Sequence, residues 1–302
     1  MDAQIKTAKR IRKGLIASDT DAYRIFDGAG DGQEGVFIDT FAGHWLVSHR
    51  GDCPDAVCLS GLKRESLWLK RLDRDCKGLA QCVEGNFENH RITIMENGVA
   101  FKIDFAAGYS QGIFLDQRDN RREVACRAPG QRILNCFAYT CGFSVAAALA
   151  GAQSTTSIDL SRSYLQWGKL NFELNGIELS SSEHYFCRGD VFEWLNQFFR
   201  KKRRFGGVIL DPPSFSRDKQ GTVFNVEKDY PRLVAAAARL VVPGGWILAC
   251  CNHHGIDDLR FNDLLGGGMA SSGREVISRE LRRMPPDFNG EQYLKSAWIE
   301  IR

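Results

Sequence analysis

From residue 106 onward the chain repeats one pattern: a short apolar run, a turn of small residues, then a helical stretch. Residues 132–136 (RILNC), 155–160 (TTSIDL), 207–211 (GVILD) and 245–251 (GWILACC) have the length and apolar content of strands. Residues 144–150, 162–175, 193–200 and 230–242 read as helices. Parallel strands need a crossover of a dozen or more residues, and helices of this length supply it while covering both faces of the sheet. The fold class expected over residues 106–302 is therefore α/β, built on a doubly wound parallel sheet.

Residues 1–105 lack that rhythm. A basic, helical start (KTAKRIRK) precedes glycine-rich turns (GAGDGQEG) and short alternating segments at 35–39, 44–47 and 66–72. Residues 91–95 and 99–105 flank Glu96-Asn97-Gly98, and Asn-Gly between alternating runs signals a hairpin because both residues tolerate positive φ. A smaller α+β, mostly β, domain is expected over 1–105, suited to touching a substrate.

The 302 residues are 43% hydrophobic and 25% charged, with 40 Lys+Arg against 37 Asp+Glu, which excludes disordered and fibrous classes. A chain this long buries roughly three-quarters of its unfolded surface, so disulfides are not needed. No run approaches the roughly 18 apolar residues of a membrane span, and the longest candidate, 233–242, carries Arg239. The start is charged and lacks the apolar region of a secretory leader. The ten cysteines (53, 58, 76, 82, 126, 136, 141, 187, 250, 251) include no C-x-x-C pair and no zinc-type Cys/His set. Free thiols in a cytoplasmic setting are expected, with no membrane partner and no metal. The net charge of +3 does not demand nucleic acid. KTAKRIRK and RKKRR at 200–204 are nevertheless local basic clusters that suit phosphates or, equally, solvated faces.

Ligands of a doubly wound sheet bind at the carboxyl ends of its strands, near the switch point. The loop after the first strand, 135–144 (NCFAYTCGFS), lacks G-x-G-x-x-G, and its single Gly142 leaves little room for a pyrophosphate, which weakens a dinucleotide reading. Asp159 ends the next strand, 24 residues beyond Asn135, where a carboxylate accepts from two ribose hydroxyls; an N-cap is the plainer alternative. Asp190 stands where a third strand would end, fit for an adenine amino group or a cap. The strongest local signal is 208–215 (VILDPPSF). There a strand runs into Asp211, Pro212 and Pro213 free their carbonyls to accept, and Phe215 offers a stacking face for a base. The following strand ends in Cys250-Cys251-Asn252-His253-His254, which offers a thiol nucleophile or buried small residues, and two histidines that read as polar loop residues.

With these residues assembled, the chain resembles the class I S-adenosylmethionine-dependent methyltransferases, specifically the large-subunit rRNA methyltransferases that include the cytosine-5 enzymes. The carrying blocks are 23–28 (YRIFDG), 108–121 (GYSQGIFLDQRDNR), NCFAYTCGFSVAAA, SIDLS, NFELNG, LDPPSFSR, PGGWILACCNHH and Tyr293-Leu294-Lys295, in the family's order from about residue 19 to the C-terminus. The resemblance implies a Rossmann-like domain. Phe137, Tyr139, Thr140 and Gly142 would enclose the methionine part of S-adenosyl-L-methionine, Asp159 with Leu160 the ribose, and Asp190 with Val191 the adenine. Phe114, Asp116 and Arg118 would close the site. Asp211 and Pro212 would border cofactor and base, Pro213 and Phe215 the base alone, and Cys251 would stand at the nucleophile's position. There are three departures: Cys141 replaces a usual glycine and narrows the space beside the cofactor, Asn252 replaces a usual Ser, and the N-terminal RNA-binding domain of longer members is absent or reduced to about 18 residues.

The implied reaction is methylation of C5 of a cytosine in large-subunit rRNA, Cys251 adding to C6 while Asp211 hydrogen-bonds the ring or protonates N3. The target base must be unpaired or flipped. Guanine or exocyclic-amine methylation, which needs no cysteine, is the alternative. A non-catalytic RNA-binding or assembly protein is the alternative of another class. The oligomeric state, a homodimer included, stays open.

Overall fold

Ile5, Ala8 and Arg12 recur at helical spacing and are all buried, and this stripe makes the basic start a helix, α1 (Asp2–Lys13). Ile5 and Ala8 join Ile25, Phe26, Ile38 and Trp45 in one apolar core. The protein is seen here as a computed structural model that describes residues 2–51, 62–73, 78–108, 110–180, 183–213 and 224–302. It divides into unit 1, residues 1–119 with 285–292, and unit 2, residues 120–284 with 293–302.

In unit 1 the sheet order is β1 (Ala22–Asp27), β2 (Val36–Phe41), β3 (His44–His49), β4 (Ser66–Arg71), β5 (Gln81–Glu84). Among these described strands only β3 and β4 pair in parallel. The expected hairpin is present as β6 (Arg91–Glu96) and β7 (Val99–Asp104), turned by Asn97 (φ 50°) and Gly98 (φ 74°). The return segment 285–292 is tied in by charge. Asp287, fully buried, accepts from Arg118 Nη1 at 3.0 Å, Arg118 Nη2 at 2.5 Å and the Arg24 backbone N–H at 3.0 Å. Asn289 accepts from Arg12 Nη2 at 2.7 Å, and the Gly290 N–H donates to Asp27 at 2.7 Å.

Helix α2 (Arg118–Arg127) leads into unit 2. There β8 (Arg132–Cys136), α3 (Gly142–Leu149), β9 (Ser154–Asp159), α4 (Arg162–Leu174), β10 (His184–Arg188), α5 (Val191–Arg200), β11 (Phe205–Leu210), α6 (Val226–Ala238) and β12 (Val241–Cys251) alternate as expected. They are followed by α7 (Asp258–Ser272), β13 (Val276–Arg282) and β14 (Lys295–Ile301). The sheet order is β10-β9-β8-β11-β12-β14-β13, with β14 antiparallel to both neighbours and the first five strands parallel. The order reverses between β8 and β11, so the switch point lies at their carboxyl ends.

Two expectations are corrected. The helix expected over 230–242 runs from Val226 to Ala238, and Val241 and Val242 begin β12 instead. Pro243 disfavours a helical residue before it, and paired valines suit a pleated surface. Helix α7 is absent from the expectation because Gly266, Gly267 and Gly268 lie inside it. Gly268 serves packing: a Cβ there would stand 2.7 Å from Pro231 O and Val234 Cβ on α6.

Candidate active site

Between β8 and α3 the backbone makes a turn with three non-glycine residues in the left-handed region, Phe137 (φ 59°), Tyr139 (φ 49°) and Cys141 (φ 62°). Each such residue is strained by roughly 1–2 kcal/mol, so neighbouring structure must hold the loop. Three groups do. Asn135 Nδ2 donates to Ser144 Oγ at 3.0 Å, and Ser144 and Ser157 share a 2.8 Å hydrogen bond, which pins the first turn of α3 to β8 and β9. Asp159, at the end of β9, accepts the Tyr139 N–H at 2.9 Å and the Ser161 N–H at 2.8 Å, one on each carboxylate oxygen. The third group is one stripe of α4. Tyr164 packs edge-on against Tyr139 with ring centroids 4.5 Å apart, Gly168 abuts Cys141, and buried Asn171 donates to Thr140 O at 3.0 Å.

That stripe corrects the expectation for Cys141. Its side chain is fully buried and turned toward α4, where a Cβ on Gly168 would stand 2.4 Å from Cys141 Sγ. The thiol occupies space vacated by the missing side chain of Gly168. Burial pushes it up to about 12. Tyr164, Gly168 and Asn171 went unnoticed as loop supports, although their spacing on α4 could have marked them as one helical face.

Asp159 is half-buried; burial raises its carboxyl above the usual range and the two backbone N–H groups oppose that. Each oxygen retains a lone pair for a further donor. Asp190 caps α5, accepting the Glu193 N–H at 3.0 Å, so the cap foreseen as an alternative is formed. Val191 is buried beneath it, and Leu160 is half-buried. Phe137 packs toward Phe224, ring centroids 6.0 Å apart. Helix α3 begins with no side-chain cap, so its first backbone N–H groups remain for another acceptor. A carboxylate with open lone pairs, an uncapped helix start and aromatic walls fit the ribose, carboxylate and base of an adenosyl amino acid.

At the neighbouring strand ends, Asp211 is half-buried, Pro212 buried and Pro213 exposed; Phe215 lies outside the described residues. Cys251 ends β12 and is 2% exposed. Burial pushes its thiol up and Asp211 adds to this, while the His253 backbone and Lys295 pull the other way. Lys295 pairs with Cys251 across β12 and β14, is itself buried, and donates to His253 O at 2.8 Å and Tyr293 O at 2.7 Å. Tyr230, fully buried, donates to Cys250 O at 2.7 Å, and burial first, with Cys250, Cys251 and Asp211 nearby, pushes its hydroxyl well above the usual range. Neither Lys295 nor Tyr230 was assigned a role from sequence; Lys295 lay in the closing Tyr-Leu-Lys block. Phe114, Asp116 and Arg118 belong to unit 1, where Arg118, expected to close the cofactor site, gives both its Nη groups to Asp287.

Residues 68–289 match the S-adenosylmethionine-dependent methyltransferase family. The chain belongs to that family. It is an enzyme that uses S-adenosyl-L-methionine. Among its relatives, ribosomal RNA large subunit methyltransferase K of Neisseria meningitidis serogroup B is 33% identical over 256 residues, covering 80% of this chain and 72% of the relative. Ribosomal RNA large subunit methyltransferase I of Salmonella arizonae is 32% identical over 299 residues, covering 94% and 73%. A solved methyltransferase structure complexed with SAH, SAM's demethylated form, superposes with a TM-score of 0.89 at 28% identity, covering 99% of this chain and 80% of that one. The Rossmann-like methyltransferase fold is thus established. Among the described residues no helix is long and apolar enough to cross a membrane.

Proposed function

We propose that this methyltransferase modifies a base of large-subunit rRNA, at C5 of a cytosine, with Cys251 as the nucleophile and the methionine, ribose and adenine of the cofactor held by residues 137–142, Asp159 and Asp190. The names of its relatives support the RNA class. The chemistry rests on one observation: Asp211 directly follows β11 and Cys251 ends the neighbouring β12 at the sheet's carboxyl edge, with Lys295 paired opposite Cys251 on β14. S-adenosyl-L-methionine supplies the electrophilic methyl group when bound. The Cys251 thiolate bonds to C6, C5 gains the electron density to take the methyl group, and a base then takes the C5 proton, so that the C5=C6 double bond re-forms as the C6–S bond breaks and releases the thiolate. Lys295 favours the thiolate, and Asp211 hydrogen-bonds the ring edge. Unit 1 supplies further contacts to the RNA.

Nucleoside mass spectrometry of rRNA from a deletion strain, treated with wild-type or Cys251→Ala enzyme, tests this. The variant should bind the cofactor normally yet form no 5-methylcytosine; undiminished product overturns the covalent step. A second reading, methylation of a guanine or exocyclic nitrogen, is favoured by the burial of Cys251, which holds its thiol protonated, and under it the same variant stays active.

A further inference from the structure

The RKKRR cluster has no part in the reaction centre. It forms the turn between α5 and β11, at the opposite end of the strand from Asp211. Since β11 is six residues long, the turn lies about 20 Å from the base-binding edge. Among the described residues none of Arg200, Lys201, Lys202, Arg203 and Arg204 makes an ion pair with a carboxylate, although all but the half-buried Arg203 are exposed. Five adjacent like charges repel one another, and the helix dipole of α5 offsets this only in part.

The cations are also ordered on aromatic rings. The Arg203 guanidinium lies over Tyr185 and Phe198, 5.1 Å from each ring, and Arg204 lies 5.9 Å from Phe199. Tyr185 and Phe199 are 37% and 48% exposed. Beside the turn, the outer face of α5 bears an open trough of about 590 Å3 lined by Glu193, Asn196, Gln197, Arg200 and Lys201. Two amides in such a trough can exchange hydrogen bonds with ribose hydroxyls and base edges, and adjacent cations can bind phosphates. Exposed rings beside guanidinium groups suit stacking with unpaired bases.

We propose that the 200–204 turn and the α5 trough form a second RNA contact, gripping the phosphodiester backbone of a folded RNA whose target base enters the distant strand-end site. This rests on RNA being the substrate. It makes recognition depend on a folded segment long enough to reach both ends of β11.

The triple variant Arg200→Gln, Lys201→Gln, Lys202→Gln tests it, leaving the ring-stacked Arg203 and Arg204 in place. Binding to a folded large-subunit rRNA fragment is followed by fluorescence anisotropy from 50 to 200 mM KCl. The plot of log affinity against log salt should flatten by about two to three in slope, the loss expected for three phosphate contacts. Cofactor binding by calorimetry and binding of a trinucleotide should not change. An unaltered slope overturns the proposal, as does an equal loss with duplex DNA of similar length. If the wild-type enzyme methylates no rRNA yet shows the slope change, the assigned substrate fails while the contact stands.

Discussion

Gly168→Ala should destabilise the wild-type protein and stabilise a Cys141→Gly variant. In the wild type the new Cβ would lie 2.4 Å from Cys141 Sγ and 2.9 Å from its Cβ, and Cys141 is held by a fully buried loop-to-helix contact. Overpacking of this kind costs about 1–3 kcal/mol, against about 1 kcal/mol gained by replacing glycine with alanine inside a helix. The net effect is a loss of about 0–2 kcal/mol. With glycine at 141 the clash disappears and the helical gain of about 1 kcal/mol remains. Glycine also accepts the left-handed conformation at 141 (φ 62°) without its usual steric cost. Urea unfolding of the four proteins in this double-mutant cycle should give a coupling of about 1–3 kcal/mol. Cofactor affinity should fall in the Gly168→Ala single variant and recover in the double. Equal effects of Gly168→Ala in both backgrounds, within about 0.5 kcal/mol, would refute the packing argument.

Asp287→Ala leaves Arg118 buried without its main partner and should cost about 3–5 kcal/mol by urea unfolding, most of it recovered by Asp287→Leu with Arg118→Met. Asp159→Asn removes a carboxylate that already receives two backbone N–H groups, and calorimetry should show cofactor affinity reduced about 10- to 100-fold. Burial pushes Cys141 to about 12 and Cys187 to about 11, and raises Cys251 as well, from an ordinary value of 9.0. Below pH 9 these thiols are protonated in both folded and unfolded chains; above it the unfolded chain loses protons first, so stability measured by unfolding should decline from pH 9 upward.

Much of unit 2 was legible in the chain because parallel strands buried on both faces read as apolar runs, and their carboxyl ends are marked by Asp159, Asp211 and Cys251. The hairpin at Asn97-Gly98 was legible for a different reason, the rarity of residues that accept positive φ. What escaped was set by partners distant in sequence. Gly266 to Gly268 look like a loop until α6 is placed against them. Cys141 looks like an obstruction until Gly168 is seen beneath it. The partner of Arg118, Asp287, lies 169 residues away and takes up its guanidinium. Strand edges and turns are local properties of sequence, whereas such pairings become visible only once the chain has closed on itself.

The return of residues 285–292 to unit 1 also sets an order of events during synthesis. Arg12, Arg24 and Arg118 leave the ribosome long before Asp287 and Asn289, the acceptors that complete their network. At translation rates of about 5–20 residues per second, the 169 residues between Arg118 and Asp287 take roughly 8–34 s to appear. The N-terminal unit must therefore wait, unfinished, while almost the whole catalytic unit emerges. A nascent chain stopped before residue 285 would hold a folded sheet with the Arg118 guanidinium still short of its main counterion, a species open to chaperones and proteases.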